Sequence, residues 1–201
     1  MSKAKKRREA VVTDTVIQFR ITLLDIEPPI WRRIQVDDCT LNKFHEHIQT
    51  AFGWSNSHLH LFEIAGEQYG DSYLLCEEGE SADFEDSHLV DLGELLDGRR
   101  KGFSLRYVYN FGDNWEHEIV LEDRPVRYPK TLYPVCLEGQ RARPPEDCGG
   151  AWSYQHLLEV LADPKHEEYE DLREWAAERD PEKFSATETT QFMHEGPPDW
   201  Q

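Results

Sequence analysis

The sequence predicts an α+β fold built on one antiparallel sheet, and three observations carry that prediction. Segments alternating apolar and polar residues come first along the chain, segments of helical spacing come last, and neither an internal repeat nor a regular strand–helix alternation is present. With 201 residues, 38% of them apolar and 11% aromatic, the chain can bury one substantial core. A single domain is expected over residues 15–184, with its helices concentrated after residue 150. A basic flexible arm (1–14) precedes it and a loosely ordered tail (185–201) follows.

From Val16 to Leu24, Ile17, Phe19, Ile21 and Leu23 fall on one face and Gln18, Arg20 and Thr22 on the other, the period of a half-buried strand. Pro28-Pro29 interrupts it, and alternation from Ile30 to Val36 suggests an antiparallel return. Thr40 is placed to cap a helix whose Leu41, Phe44, Ile48, Ala51 and Phe52 share a face, with Gly53 as its stop. A third strand is expected over His58–Ala65. The nine acids and absent Lys or Arg of residues 77–97 make Glu77–Asp86 a loop, ahead of a short helix at Leu92–Leu96. Phe103–Phe111 and Trp115–Glu122 alternate on either side of Gly112-Asp113-Asn114, the clearest hairpin in the chain. A Pro-rich irregular stretch over 125–151 holds a short extended piece near Tyr133–Leu137. Helical spacing then runs from Tyr154 to Leu161 and again from Tyr169 to Ala176. The sheet is expected to pack on the helix near 40–52.

Charge narrows the function classes. Against 22 Lys and Arg stand 40 Asp and Glu, a formal charge of −18, and the five positive charges of residues 3–8 leave about −22 on residues 10–201. A phosphate-binding surface is disfavoured, and nucleic acid is expected as a partner only through the basic arm 3–8. No apolar run approaches the roughly 20 residues of a membrane span and no signal-peptide segment opens the chain, so a cytoplasmic protein without a membrane role is expected. Four cysteines do not make a disulfide framework, and Cys39 and Cys76 have no ligand grouping around them. Phosphate-cradling loops, nucleophile elbows, His-Glu-x-x-His and Cys-x-x-Cys are all absent.

Polar groups on or beside apolar strands remain as candidates. His58 and His60 are two apart, which on a strand puts both imidazoles on one face with about 7 Å between α-carbons, able to share a metal or an anion or simply to sit at the core's rim. Asp113 and His117 flank Trp115 and can act as a carboxylate–imidazole pair, or as turn former and packing residue. Cys136 and Cys148 with His117 would supply the three ligands of an open zinc site, so zinc is the cofactor they suggest; two buried thiols are the alternative. Glu146 and Asp147 add charge to the loop Pro144-Pro145-Glu146-Asp147-Cys148-Gly149-Gly150. That loop is expected to lie against the His117 strand or the His58–His60 strand and to form the functional surface, with a rigid connector over the sheet end as the other reading.

Four separated segments, in order, resemble the Ri-plasmid ORF-three-like family. They are Ile21-Thr22-Leu23-Leu24-Asp25-Ile26-Glu27-Pro28-Pro29-Ile30-Trp31-Arg32-Arg33; Gly53-Trp54 with His58-Leu59-His60-x-Phe62; Tyr109-Asn110-Phe111-Gly112-Asp113-Asn114-Trp115-Glu116-His117; and the 144–150 loop. The resemblance implies a compact α+β fold and no agreed biochemical activity. Some members carry a label as passengers of insertion elements, similar in name to transposon resolvases, but an acidic body does not suit strand exchange on DNA. The family's hairpin usually has Asp where Asn110 stands, and its loop often has Cys where Arg143 stands, which removes one carboxylate and one thiol from any shared site.

Two functions follow as expectations. The first is a non-enzymatic interaction module of mobile-element origin that binds a protein. The alternative is a metal-assisted hydrolase, with His58, His60, Asp113, His117 and Cys148 converging on one cleft where a cation activates water.

Overall fold

The computed structural model describes residues 15–71, 84–176 and 180–197. Alternation becomes strand where it was read: β1 (Ile17–Leu23) and β2 (Ile30–Val36) pair antiparallel, each burying every second residue. α1 (Leu41–Phe52) starts at Thr40, whose hydroxyl accepts from the Lys43 amide, and stops at Gly53 in the left-handed region at φ +83°. Then come β3 (His60–Ile64), β4 (Glu67–Gly70), the two-residue β5 (Glu85–Asp86) and α2 (Leu92–Leu95). β6 (Ser104–Tyr109), β7 (Trp115–Asp123) and β8 (Val135–Gln140) complete the strands, followed by α3 (Gly150–Ala162), α4 (Tyr169–Trp175) and α5 (Ala186–Glu195).

One sheet runs in the order β5-β4-β3-β6-β7-β1-β2-β8, antiparallel except where β5 joins β4. Its inner face carries Phe62, Tyr107, Ile119, Ile21 and Ile34, all closed to solvent together with Phe44 and Ile48 of α1. Its outer face is polar and laced with ion pairs: Arg33 bridges Glu122 and Glu138, and Arg106 bridges Glu63 and Glu116. A sheet with one covered and one wetted face accounts for the two-residue period. Register places aromatic and imidazole side chains in rows across the strands, Trp115 beside Tyr109 beside His60, and His117 beside Tyr107 beside Phe62.

Several expectations change. The third strand begins at His60, so His58 lies ahead of it. β4 was not anticipated, and Glu85–Asp86, expected in a loop, pairs with β4. The extended piece read near 133–137 is a longer strand that ends at Gln140. Residues 186–195 are not a loose tail: they form α5, with Thr189 and Met193 buried, packed on α1 and along β8. The Thr190 hydroxyl accepts from the Cys136 amide at 3.0 Å and also lies 3.3 Å from its carbonyl, so this helix covers the sheet's outer edge. The basic arm, Cys76, residues 77–83 of the acidic loop and the last four residues lie outside the described residues. Among those that are described, no helix is long and apolar enough to cross a membrane.

Candidate functional site

The 144–150 loop lies across the β6–β7 turn and the segment ahead of β3, held at three points. Glu146 Oε1 accepts from the Ser55 amide (2.7 Å) and hydroxyl (2.8 Å). Asp147 Oδ1 accepts from Asn110 Nδ2 at 3.2 Å and stands 2.9 Å from His58 Nε2. Gly150, at φ +79°, presses on the turn so closely that a Cβ there would come within 2.5 Å of the Asp113 carbonyl oxygen. Asn110 organises the turn below: in the left-handed region at φ 55°, its Oδ1 accepts from the Gly112 and Asp113 amides while its Nδ2 reaches the loop. A carboxylate in its place could not make that donation. Arg143 lies with its guanidinium 4.8 Å over the Trp54 ring and donates Nε to the Gly53 carbonyl at 2.7 Å, so it joins the loop to the end of α1. Trp54 in turn packs on Tyr109 and Trp115, with ring centroids 5.4 and 5.7 Å away.

The histidines read as a site are divided between loop and core. His58 faces Asp147, whereas His60 is buried and stacks on His45 of α1 with ring centroids 3.5 Å apart. The two therefore do not share a ligand-facing surface. His45 belongs to a closed hydrogen-bond ring: Gln49 Nε2 donates to Tyr107 Oη, Tyr107 O–H donates to His45 Nδ1, His45 Nε2–H donates to Asn56 Oδ1, and the Asn56 amide donates to Gln49 Oε1. Burial pushes His45 down to about 4 and lowers His60 well below the ordinary imidazole range, with the neighbouring imidazoles adding to it. His117 lies on the inner face between Tyr107 and Phe52, its Nδ1 3.1 Å from the Trp115 carbonyl, and burial pushes it down to about 4. It stands four residues along the chain from Asp113, which lies in the hairpin loop, and no hydrogen bond joins the two side chains as an acid–base pair. Trp115 is 1% exposed and belongs to the core.

His117, Cys136 and Cys148 do not form the zinc set. Cys136 is on β8, three strands from the β7 that carries His117, and at about 4.8 Å per strand that alone is about 14 Å, where a zinc–sulfur bond spans about 2.3 Å. Among the described residues, no three His, Cys, Asp or Glu side chains group to hold a metal ion. Both thiols are also held protonated: burial pushes Cys136 up to about 11, and burial with the nearby Asp113 charge pushes Cys148 up to about 12. Of the hydrolase set, His58, His60, Asp113, His117 and Cys148, no three group to hold a metal ion among the described residues.

Two residues are not singled out by the sequence as site candidates, although alternation puts Arg32 on the face of Ile30, Ile34 and Val36. Arg32 points into the core, 3% exposed, where burial lowers it to about 10, leaving it charged. Its N–H groups donate to the carbonyls of Trp31, Ala51, Gln140 and Arg141, tying the end of α1 to β8. Trp152 does the opposite: two residues beyond the loop, on the outer side of α3, it is 81% exposed, its ring stacked over His156 at 6.1 Å. Its distance from the apolar positions Tyr154, Leu157 and Leu161 on the helical period was the legible sign.

The fold and the loop define an eight-stranded α+β protein whose sheet is covered on one side and whose Pro-Pro-Glu-Asp-Cys-Gly-Gly loop is pinned across the β6–β7 turn. The chain belongs to the plasmid pRiA4b ORF-3-like family, whose model matches residues 15–188. It is 36% identical over 173 residues to the uncharacterised protein y4hQ of Sinorhizobium fredii, covering 86% of each chain. Among solved structures it resembles a protein of unknown function from Methanosarcina mazei Go1, with a TM-score of 0.76 and 35% identity over 87% of this chain and 97% of that one. None of these names an enzymatic activity.

Proposed function

We propose that the protein is a non-enzymatic interaction module that meets a protein partner on the surface formed by the 144–150 loop and the outer face of α3 around Trp152. Trp152 carries the reading. An indole 81% open to water, on a helix whose other side is buried, is the residue type that supplies binding energy at interfaces. The loop's ties to Ser55, Asn110 and Asp113 support the same reading, because they fix the start of α3 and reduce the ordering that binding would otherwise require. On this view Glu146, Asp147 and the turn are positioning residues, and His60, Trp115 and His117 are scaffold.

Catalysis is the weaker reading because two of its candidate histidines, His60 and His117, are buried with burial lowering both, and burial raises the Cys148 thiol. Cys39, Cys136 and Cys148 stand as free thiols, which supports a cytoplasmic location. The test compares co-purification at near-native expression for wild type and Trp152→Ala, after confirming that their melting temperatures agree. A specific protein should accompany wild type and be lost with the variant. Equal recovery by both would overturn the reading.

A further inference from the structure

Residues 156–176, which finish α3 and form α4, hold seven acids against Lys165 and Arg173, and all seven acids are exposed. Trp152, His156 and Glu159 share the outer face of α3 at helical spacing. His156 connects that face to α4's approach, with its Nε2 3.3 Å from Glu168 Oε2 and its ring 6.1 Å from His166. One flat aromatic ring therefore lies at the margin of a strongly negative, solvent-facing helical pair. His156 covers one face of that ring.

Resting on the interaction-module reading, we propose that the partner presents a lysine- and arginine-rich polypeptide segment. One cationic side chain would lie on the free face of Trp152, and its neighbours would pair with the carboxylates around Glu159 and Glu168. Charge complementarity selects this occupant. An acidic or purely apolar segment would meet like charge or leave the carboxylates facing an unpaired surface, whereas guanidinium and ammonium groups satisfy both ring and carboxylates.

The test is fluorescence anisotropy with the full chain and a labelled lysine- and arginine-rich peptide of about twelve residues, beside glutamate-rich and Ser/Gly peptides of equal length, at about 50 and about 500 mM salt. The basic peptide should bind saturably, and binding should weaken about tenfold or more in high salt and again about tenfold in Trp152→Ala. Glu159→Gln with Glu168→Gln should weaken it while leaving the melting temperature unchanged. Undiminished affinity in Trp152→Ala would mean diffuse attraction to an acidic body and would overturn the proposal, as would equal binding of the other peptides or no saturation by millimolar concentrations. If the basic peptide fails while a co-purified protein still depends on Trp152, the partner chemistry is wrong and the interaction module stands. Loss of both removes both.

Discussion

Lowering the pH from 8 to 5 should unfold this protein through four histidines of its core, His45, His47, His60 and His117, each at most 8% exposed. Burial holds His45, His47 and His117 at about 4 and lowers His60, whereas an unfolded imidazole titrates near about 6.5. Depressed folded values mean that the unfolded chain takes up protons first as pH falls. Stability is therefore fully present above about 6.5 and is lost on the way down to about 4. At pH 5 each of the three groups near 4 costs about 2 kcal/mol relative to pH 8, hence about 6 kcal/mol together before His60 is counted. That is comparable with the whole stability of an ordinary domain, about 5–15 kcal/mol. No carboxylate hydrogen-bonds to any of the four among the described residues: His45 faces Tyr107, Asn56 and His60, His117 faces Tyr107, Phe52 and the Trp115 carbonyl, and Lys43 opposes charge on His47. Urea unfolding followed by tryptophan fluorescence at intervals from pH 8 to 5 measures the slope. An unfolding free energy that is flat from pH 7 to 5.5, or a slope below one proton, would show that these imidazoles are solvated and the inner face is not closed over them.

Trp115→Ala should cost about 3–5 kcal/mol in chemical denaturation, while Glu118→Ala on the exposed side of the same strand should stay within about 0.5 kcal/mol. Arg32→Met should cost about 2–4 kcal/mol, since four carbonyls lose their donor, and the loss should appear as a lowered urea midpoint. Gly150→Ala should destabilise by at least about 2 kcal/mol because of the Asp113 carbonyl, whereas Gly53→Ala, with open space around it at a similar φ, should cost only about 1 kcal/mol by thermal melting. Asn110→Asp should lower stability at pH 7 by about 0.5–1 kcal/mol, since a donor facing Asp147 becomes a like charge, and Asp147→Asn in the same chain should restore most of it.

The first two strands, α1 and the β6–β7 hairpin were legible because each has its own periodicity and a cap or turn residue to end it. β4 was not, since Glu67–Gly70 is short and mostly polar, and β5 exists only through a partner distant in sequence. α5 carried a local sign that polarity masked: Ser185, three residues before Glu188, caps the helix by accepting from the Glu188 amide at 3.3 Å. In the site, the 144–150 loop was legible as lying against the His117 strand or the His58–His60 strand, because prolines and glycines restrict where such a loop can go, and it meets the segment ahead of β3 and the β6–β7 turn. Its chemistry was not, because alternation assigns a side chain to a face without saying what covers that face. Thus His60 and His117 were rightly placed on the apolar side, but nothing local announced that α1 would bring His45 and Phe52 down on them.

The helix lying along β8 has a practical meaning for where this chain can be cut. The family match stops at residue 188, inside Ala186–Glu195, so trimming to that limit would amputate the helix and bare the Cys136 amide that Thr190 satisfies. A strand stripped of its cover is a template for another molecule's strand, and shortened versions should pair edge to edge more readily than the chain that keeps this helix. Oligomers seen with a chain ended near residue 184 would then report the scissors rather than the biology.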